Sequence, residues 1–382
     1  MKQIAVVGAS VRAIAASVVQ AGHLALAADL FGDLDLRSLA SVTVLRRYPW
    51  SALTWLAQSD ADAWCYTGGL ENYPRLIERM ANLKPLLGSG ADCLRCVRDP
   101  FWLAGLAVRH DLAFPPIREA GSLLSPPDTG EWLRKPWRSA GGLNIETTRD
   151  TVAACGKSYF QQRITGEARS VALLSTSRQV EIVGVCRLHI GTTFGAPGPF
   201  VFAGGTTIPL AEVAEREELR RMAKVLHRAA SLRGLWGFDY IAAERTYLLE
   251  VNPRWTATMA LHERAASPTG SLMARHIAAC SGRSSPPVVG CRMRHTMQIV
   301  YATNNIHVTE GILAHLRQTT DLAAISETTR PSIADLPMPG TRIEAGQPVC
   351  TLYEDGATVD AVSGRLESRV ARVQRILQGD SS

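Results

Sequence analysis

The chain has 382 residues and 41.4 kDa, enough for two or three modest domains with real cores. At 46% hydrophobic and 20% charged it has ordinary globular composition, and no apolar run reaches the roughly 18–20 residues that cross a bilayer. Lys plus Arg (41) exceeds Asp plus Glu (35) by only six, spread along the chain, which does not mark a nucleic-acid binder and suits a protein that handles anionic ligands.

Lys2 and the Ala/Val-rich stretch after it could be taken for a leader, but Gly8, Ser10 and Arg12 interrupt the run. Residues 3–7 instead predict a buried strand, 8–12 a turn, Ala13 to Ala21 a helix closed by Gly22, and Leu24 to Ala28 a second strand. This is a βαβ opening of the dinucleotide-fold kind. Only Gly8 precedes the helix, so GxGxxG is absent and a nicotinamide site is poorly supported. Strands are expected near Ser41 to Leu45 and Ala63 to Tyr66, with helices near Pro49 to Gln58 and Tyr73 to Ala81. Cys93 and Cys96 form a CxxC with no second pair or His pair at zinc spacing, so they read as structural. Eight cysteines in a chain this long do not make a disulfide framework, which points to a reducing, cytoplasmic setting.

Asp99-Pro100 opens another helix, and Phe114-Pro115-Pro116 and Ser125-Pro126-Pro127-Asp128 read as loops toward a second region. From Trp132 to Glu250 the pattern is α+β, with its clearest helix over 211–231 on an apolar face of Val213, Met222, Val225, Leu226 and Ala229. Ser281 to Pro287 reads as a linker, and strands over Thr296 to Ala302 and Val349 to Tyr353 imply a small β-rich appendix.

Three segments carry chemistry. Tyr247 to Arg254 is a short apolar strand ending in Glu250-Val251-Asn252-Pro253-Arg254, where alternation puts Glu250 and Asn252 on one face. Side-by-side oxygens of this kind suit a hard cation, and Arg254 lies within reach of phosphate oxygens on the same ion. A tight turn at Glu244 to Thr246 would fold Asp239, in Gly237-Phe238-Asp239-Tyr240, against Glu250. Upstream, Lys135 ends a strand and is followed by a small-residue loop with Gly141-Gly142 that suits a triphosphate, although GxxxxGK[ST] is absent. Between them, Gln161-Gln162-Arg163-Ile164 could meet an adenine edge, and Glu167 ribose hydroxyls. Taken singly, each segment is equally what a solvated strand edge or basic turn looks like. Gly191 to Pro209 reads as a flap or a plain hairpin, and His189 as a structural histidine.

In this order the elements resemble the ATP-grasp superfamily of carboxylate ligases over roughly residues 1–280. Glu250 to Arg254 looks like the corresponding stretch of biotin carboxylase and carbamoyl-phosphate synthetase. The opening Val6 to Arg12, with Ala28 to Asp33, looks like a subgroup of predicted ATP-dependent carboligases that accompany one-carbon carrier biosynthesis of the methanopterin and methanofuran types. The resemblance implies an α/β plus α+β architecture. A Rossmann-like domain would span 1–97, two α+β lobes enclosing ATP 98–282, and a small β-rich domain 283–382. It implies that Lys135 with Gly141 and Gly142 holds the phosphates, and that Gln161, Gln162, Arg163, Ile164 and Glu167 line the nucleoside. Asp239, Glu250 and Asn252 would bind Mg²⁺, with Mn²⁺ as an alternative, and Arg254 and Lys135 would be catalytic. Gln162 stands where the family has a glutamate, and Arg138 is the nearest stand-in for an upstream phosphate-binding lysine.

The expected activity is an ADP-forming carboxylate–amine ligase working through an acyl phosphate, for instance adding glutamate to a one-carbon carrier precursor. Biotin carboxylase-like activation of bicarbonate and non-catalytic nucleotide binding are the alternatives. Expected partners are a small-molecule carboxylate and amine, with neither nucleic acid nor membrane, and a homodimer is compatible.

Overall fold

The computed structural model describes residues 1–119, 130–148, 156–266, 270–283, 293–318 and 331–379. The expected loop at 125–128 and residues 284–287 of the expected linker lie outside these residues.

The first hundred residues build a four-stranded parallel sheet in the order β3-β2-β1-β4. Its strands are β1 (Gln3–Val7), β2 (Leu24–Asp29), β3 (Ala40–Val44) and β4 (Ala63–Tyr66). The helices are α1 (Arg12–Gln20), α2 (Leu34–Leu39), α3 (Ser51–Gln58), α4 (Pro74–Ala81), α5 (Ala91–Val97) and α6 (Pro100–Arg109). The central strand β1 is apolar and buried from Ile4 to Val7, as a strand covered on both faces must be. Its last residue leads into Gly8, where an added Cβ would lie 1.9 Å from Thr67 Oγ1, so the turn between β1 and α1 accepts only glycine. Helices α2 and α5 were not foreseen. The CxxC lies on α5, with Cys93 buried and both thiols free. Asp99 caps α6 by accepting from the Phe101 and Trp102 amides, as the Asp-Pro pair suggested.

A second, antiparallel sheet has the order β5-β8-β6-β7, from β5 (Ile117–Glu119), β6 (Trp132–Pro136), β7 (Glu146–Thr148) and β8 (Ser158–Gln162). The third and largest is built on β9 (Glu167–Ser175), β10 (Val180–Ile190) and β11 (Phe202–Ile208). Helix α7 (Arg216–Ala230) follows, and then β12 (Gly234–Ala242) and β13 (Thr246–Asn252). Two short helices, α8 (Met259–Ala265) and α9 (Leu272–Cys280), lead to β14 (Arg294–Tyr301). The remainder comprises β15 (Ile306–His307), α10 (Glu310–Gln318), β16 (Ile333–Ala334), β17 (Arg342–Ile343), β18 (Pro348–Gly356) and α11 (Val359–Gln378). The large sheet runs β13-β12-β9-β10-β11-β14-β18-β16, while β15 pairs with β17.

Three sequence expectations are corrected. The helix expected over 211–231 starts at Arg216 after a short 3-10 turn, and its buried face is Leu219, Met222, Ala223, Leu226 and Ala230, with Ala229 exposed. The segment 191–209 is no single flap, because 202–208 is β11, hydrogen-bonded between β10 and β14. The strands near 296–302 and 349–353 do form, but β14 and β18 extend the large sheet and α11 packs over them. Among the described residues no helix is long and apolar enough to cross a membrane.

Candidate active site

The site grows from the hairpin of β12 and β13. A three-residue turn at 243–245 joins the strands, and Asp239 pairs directly with Glu250 in their register. The pairing then skips from Asp239–Glu250 to Tyr240–Leu248, which leaves Leu249 as a bulge between them. Directly paired residues share a sheet face, so the two carboxylates stand side by side. Asn252, two residues on, donates through Nδ2 to Asp239 Oδ2 at 3.1 Å. Burial first, and the neighbouring Glu250 second, push the Asp239 carboxyl above the usual carboxylate range.

Arg254 continues the row. Its Nη2 donates to Asn252 Oδ1 at 3.1 Å and its Nη1 to the Trp255 carbonyl at 3.1 Å. The guanidinium also pairs with Glu71, at 2.8 Å from Nε and 2.7 Å from Nη2. Glu71 is 1% exposed, and burial alone would raise its pKa; Arg254 and then Arg98 outweigh that and hold it ionised.

Lys135 comes from β6 of the second sheet. Its register partner on β8 is Tyr159, and its Nζ donates to Gln161 Oε1 at 2.6 Å. Burial lowers its pKa, and the charges of Glu250 and Asp239 oppose that shift, so the ammonium lies in the field of the carboxylate pair. The loop after it makes a left-handed turn through Gly141 (φ +63°) and Gly142 (φ +76°). The Gly141 carbonyl accepts from the Phe202 amide at 2.9 Å, and a Cβ on Gly142 would sit 1.8 Å from the Phe200 carbonyl oxygen. The phosphate-loop candidate is therefore docked against the start of β11.

At the proposed adenine edge, the Gln162 amide donates to Pro116 O at 2.8 Å and the Arg163 amide to Glu131 O at 2.8 Å, so both are already engaged. Ile164 follows them, half-buried, in the link to β9. Glu167 accepts from Arg169 at 2.5 Å and Arg187 at 2.6 Å, so both its oxygens already hold guanidinium hydrogens.

Sequence reasoning missed Arg98, Glu71 and Asn72. Arg98 ends α5, approaches Glu250 at 3.8 Å through Nη1, and donates through Nη2 to Asn72 Oδ1 at 2.9 Å and Ser139 O at 3.3 Å. Arg138, the expected stand-in for an upstream cation, lies over the Tyr73 ring at 5.2 Å instead. Asp99-Pro100 signals only a helix start, and nothing local in the sequence marks Arg98 as a neighbour of Glu250. His189 stacks on Phe194 at 4.5 Å and bonds Thr206 through Nε2 at 3.0 Å, while its Nδ1 is buried without a hydrogen-bond partner.

The donor set of Asp239, Glu250 and Asn252 is all hard oxygen, and its two adjacent carboxylates suit a small divalent cation. Among the described residues no group of three or more His, Cys, Asp and Glu is gathered for a metal, so any ion here would also need non-protein oxygens.

Residues 109–258 match the family described as the ATP-grasp domain. The fold is shared with several solved structures. N5-carboxyaminoimidazole ribonucleotide synthetase in its ADP complex matches with a TM-score of 0.69 and 16% identity, over 100% of this chain and 98% of that one. Biotin carboxylase from Campylobacter jejuni matches with a TM-score of 0.71 and 13% identity, over 96% and 91%. L-amino acid ligase from Bacillus licheniformis matches with a TM-score of 0.70 and 12% identity, over 97% and 98%. No curated protein sequence matches significantly.

Proposed function

We propose that this chain, which carries an ATP-grasp domain, is an ADP-forming ligase that joins a carboxylate to an amine through an acyl phosphate. The observation that carries the reading is the direct pairing of Asp239 with Glu250, beside Asn252 and within reach of Lys135 and Arg98. A carboxylate is a poor acyl donor because its oxide leaving group is so unstable. In the proposed step a substrate carboxylate oxygen attacks the γ-phosphorus of ATP, the bond to the β,γ-bridging oxygen breaks, and ADP leaves with the electron pair. The amine then attacks the acyl carbon, phosphate departs, and the amine proton passes to solvent.

Each residue has a part in this. Lys135, held by Gln161, meets phosphate oxygens, and the Gly141-Gly142 turn lets backbone amides approach them. Arg254 and Arg98 offset the charge that gathers on the transferred group. A divalent ion held by Asp239, Glu250 and Asn252 would supply charge neutralisation on the β- and γ-phosphates. Gln161 to Ile164 would line the adenine, with Glu167 toward the ribose. No protein nucleophile is required by this scheme.

The finer reading, that the acid is an amino acid such as glutamate and the amine a one-carbon carrier precursor, is supported by the resemblance of residues 6–12 and 28–33. The test is ADP release with Mg²⁺ and ATP against amino acids, bicarbonate, and pterin or furan precursors. ADP and phosphate should appear only when metal and the right carboxylate are both present. Production of AMP and pyrophosphate would overturn the acyl-phosphate reading.

A further inference from the structure

Two consecutive residues of the N-terminal region each hold an arginine at the carboxylate pair. Both belong to the 3-10 turn Leu70–Asn72, which follows β4 and opens on Gly69 at φ +97°. Glu71 accepts from Arg254, and Asn72 accepts from Arg98. Neither turn residue, nor Arg98, lies inside the segment 109–258 that matches the ATP-grasp domain.

We propose that the Leu70–Asn72 turn is the positioning element of the site, with Glu71 fixing Arg254 and Asn72 fixing Arg98 before any ligand arrives. The proposal rests on the ligase reading above and adds to it the origin of the site's order.

Arg254 is held almost completely. Its Nε and Nη2 meet Glu71, its Nη2 also meets Asn252, and its Nη1 meets the Trp255 carbonyl. The bonds form a chain from Glu71 through Arg254 and Asn252 to Asp239. Glu71 Oε2 is buried without a hydrogen-bond partner, so this carboxylate is committed to the guanidinium it faces. Arg98 is held differently. Asn72 fixes only its Nη2, its Nε is buried without a partner, and its Nη1 stands 3.8 Å from Glu250. Asn72 also donates through Nδ2 to the Ser139 carbonyl at 3.2 Å, so the same turn touches the loop that leads into Gly141-Gly142. A free arginine would have to lose its side-chain freedom during each catalytic cycle; one locked by packing and hydrogen bonds does not.

The full-length protein and the variants Glu71→Gln, Asn72→Ala, Arg254→Ala and Glu71→Gln/Arg254→Ala test this through KM for MgATP, kcat for carboxylate-dependent ADP release, and melting temperature. For Glu71→Gln we expect kcat to fall about 100-fold with KM within about threefold, the cost of misplacing a group in a preorganised site. Asn72→Ala should fall about tenfold, because Arg98 keeps its other contacts. The double variant should be no slower than Arg254→Ala alone, since Glu71 acts only through Arg254. A purely structural role would lower the melting temperature and leave the two losses additive. If Glu71→Gln does not fold, Asn72→Ala decides the matter, as its side chain is only partly buried. Wild-type kcat in both variants, or additive losses, would overturn the positioning role alone. A wild-type protein that makes no ADP with any carboxylate would overturn the ligase reading and this proposal with it.

Discussion

Asp239 and Glu250 are register partners in one hairpin, and Arg98 stands 3.8 Å from Glu250. Two carboxylates so placed repel each other unless a proton or a cation lies between them. Glu250→Gln or Asp239→Asn should therefore raise the melting temperature in chelator by about 2 °C while abolishing carboxylate-dependent ADP release. Differential scanning fluorimetry with and without Mg²⁺, beside an ADP assay, checks both halves. A variant that is less stable in chelator and still active would contradict the arrangement.

Lys135 is half-buried, and its Nζ donates to Gln161 Oε1 at 2.6 Å. Lys135→Met should lower kcat/KM for MgATP by about 100- to 1,000-fold, the range for losing one preorganised charge. Gln161→Leu should give a smaller loss, concentrated in KM, because the ammonium remains but is no longer aimed. Steady-state kinetics on the two variants separates these outcomes.

Two neighbouring glycines should respond differently to alanine. Both have positive φ, but a Cβ at Gly141 meets nothing within 4 Å, whereas at Gly142 it meets the Phe200 carbonyl oxygen at 1.8 Å. Gly141→Ala should cost about 1 kcal/mol, the left-handed penalty alone. Gly142→Ala must push the loop off β11, and should cost about 3 kcal/mol and weaken MgATP binding as well. Urea denaturation and calorimetric titration of MgATP report the difference.

His276 Nδ1 accepts from the Leu235 amide at 2.7 Å, a bond that only the unprotonated nitrogen can make. Burial pushes its pKa down to about 4 from an ordinary 6.5, against the opposing pull of the Leu87 carbonyl. A depressed folded-state pKa contributes stability that is complete above about pH 6.5 and is lost as pH falls toward 4. His189 and His262, pushed down to about 4 chiefly by burial, act in the same direction. Stability should therefore fall by up to about 1.4 kcal/mol per histidine for each pH unit below that point. His276→Gln should make the profile shallower below pH 6.5 and leave its shape above pH 7 unchanged, as thermal melts across pH 4–8 would reveal.

The hairpin was legible because its determinants are local. Alternation puts Glu250 and Asn252 on one face, and the polar turn at Glu244 fixes how Asp239 returns to them. Lys135 was legible for the same reason, as a charge at a strand end before glycines. Arg98 and Glu71 were not, because they stand roughly 150–180 residues upstream of Glu250 and Arg254 and reach them only through the packing of separate elements, and Asn72 matters only through its bond to Arg98. Periodicity also found β14 and β18 without revealing where they pair, since strand order is a long-range property that one strand's own pattern does not encode.

That pairing bears on how the chain can be cut. Trimming after residue 282, at what looks like a boundary, would take away β14 and leave Gly204 to Thr206 of β11 without hydrogen-bonding neighbours on one side. An unprotected strand edge of this kind recruits other chains. A shortened version carrying every proposed catalytic group should thus be sticky and poorly behaved in solution, and expression work is better served by keeping the last hundred residues.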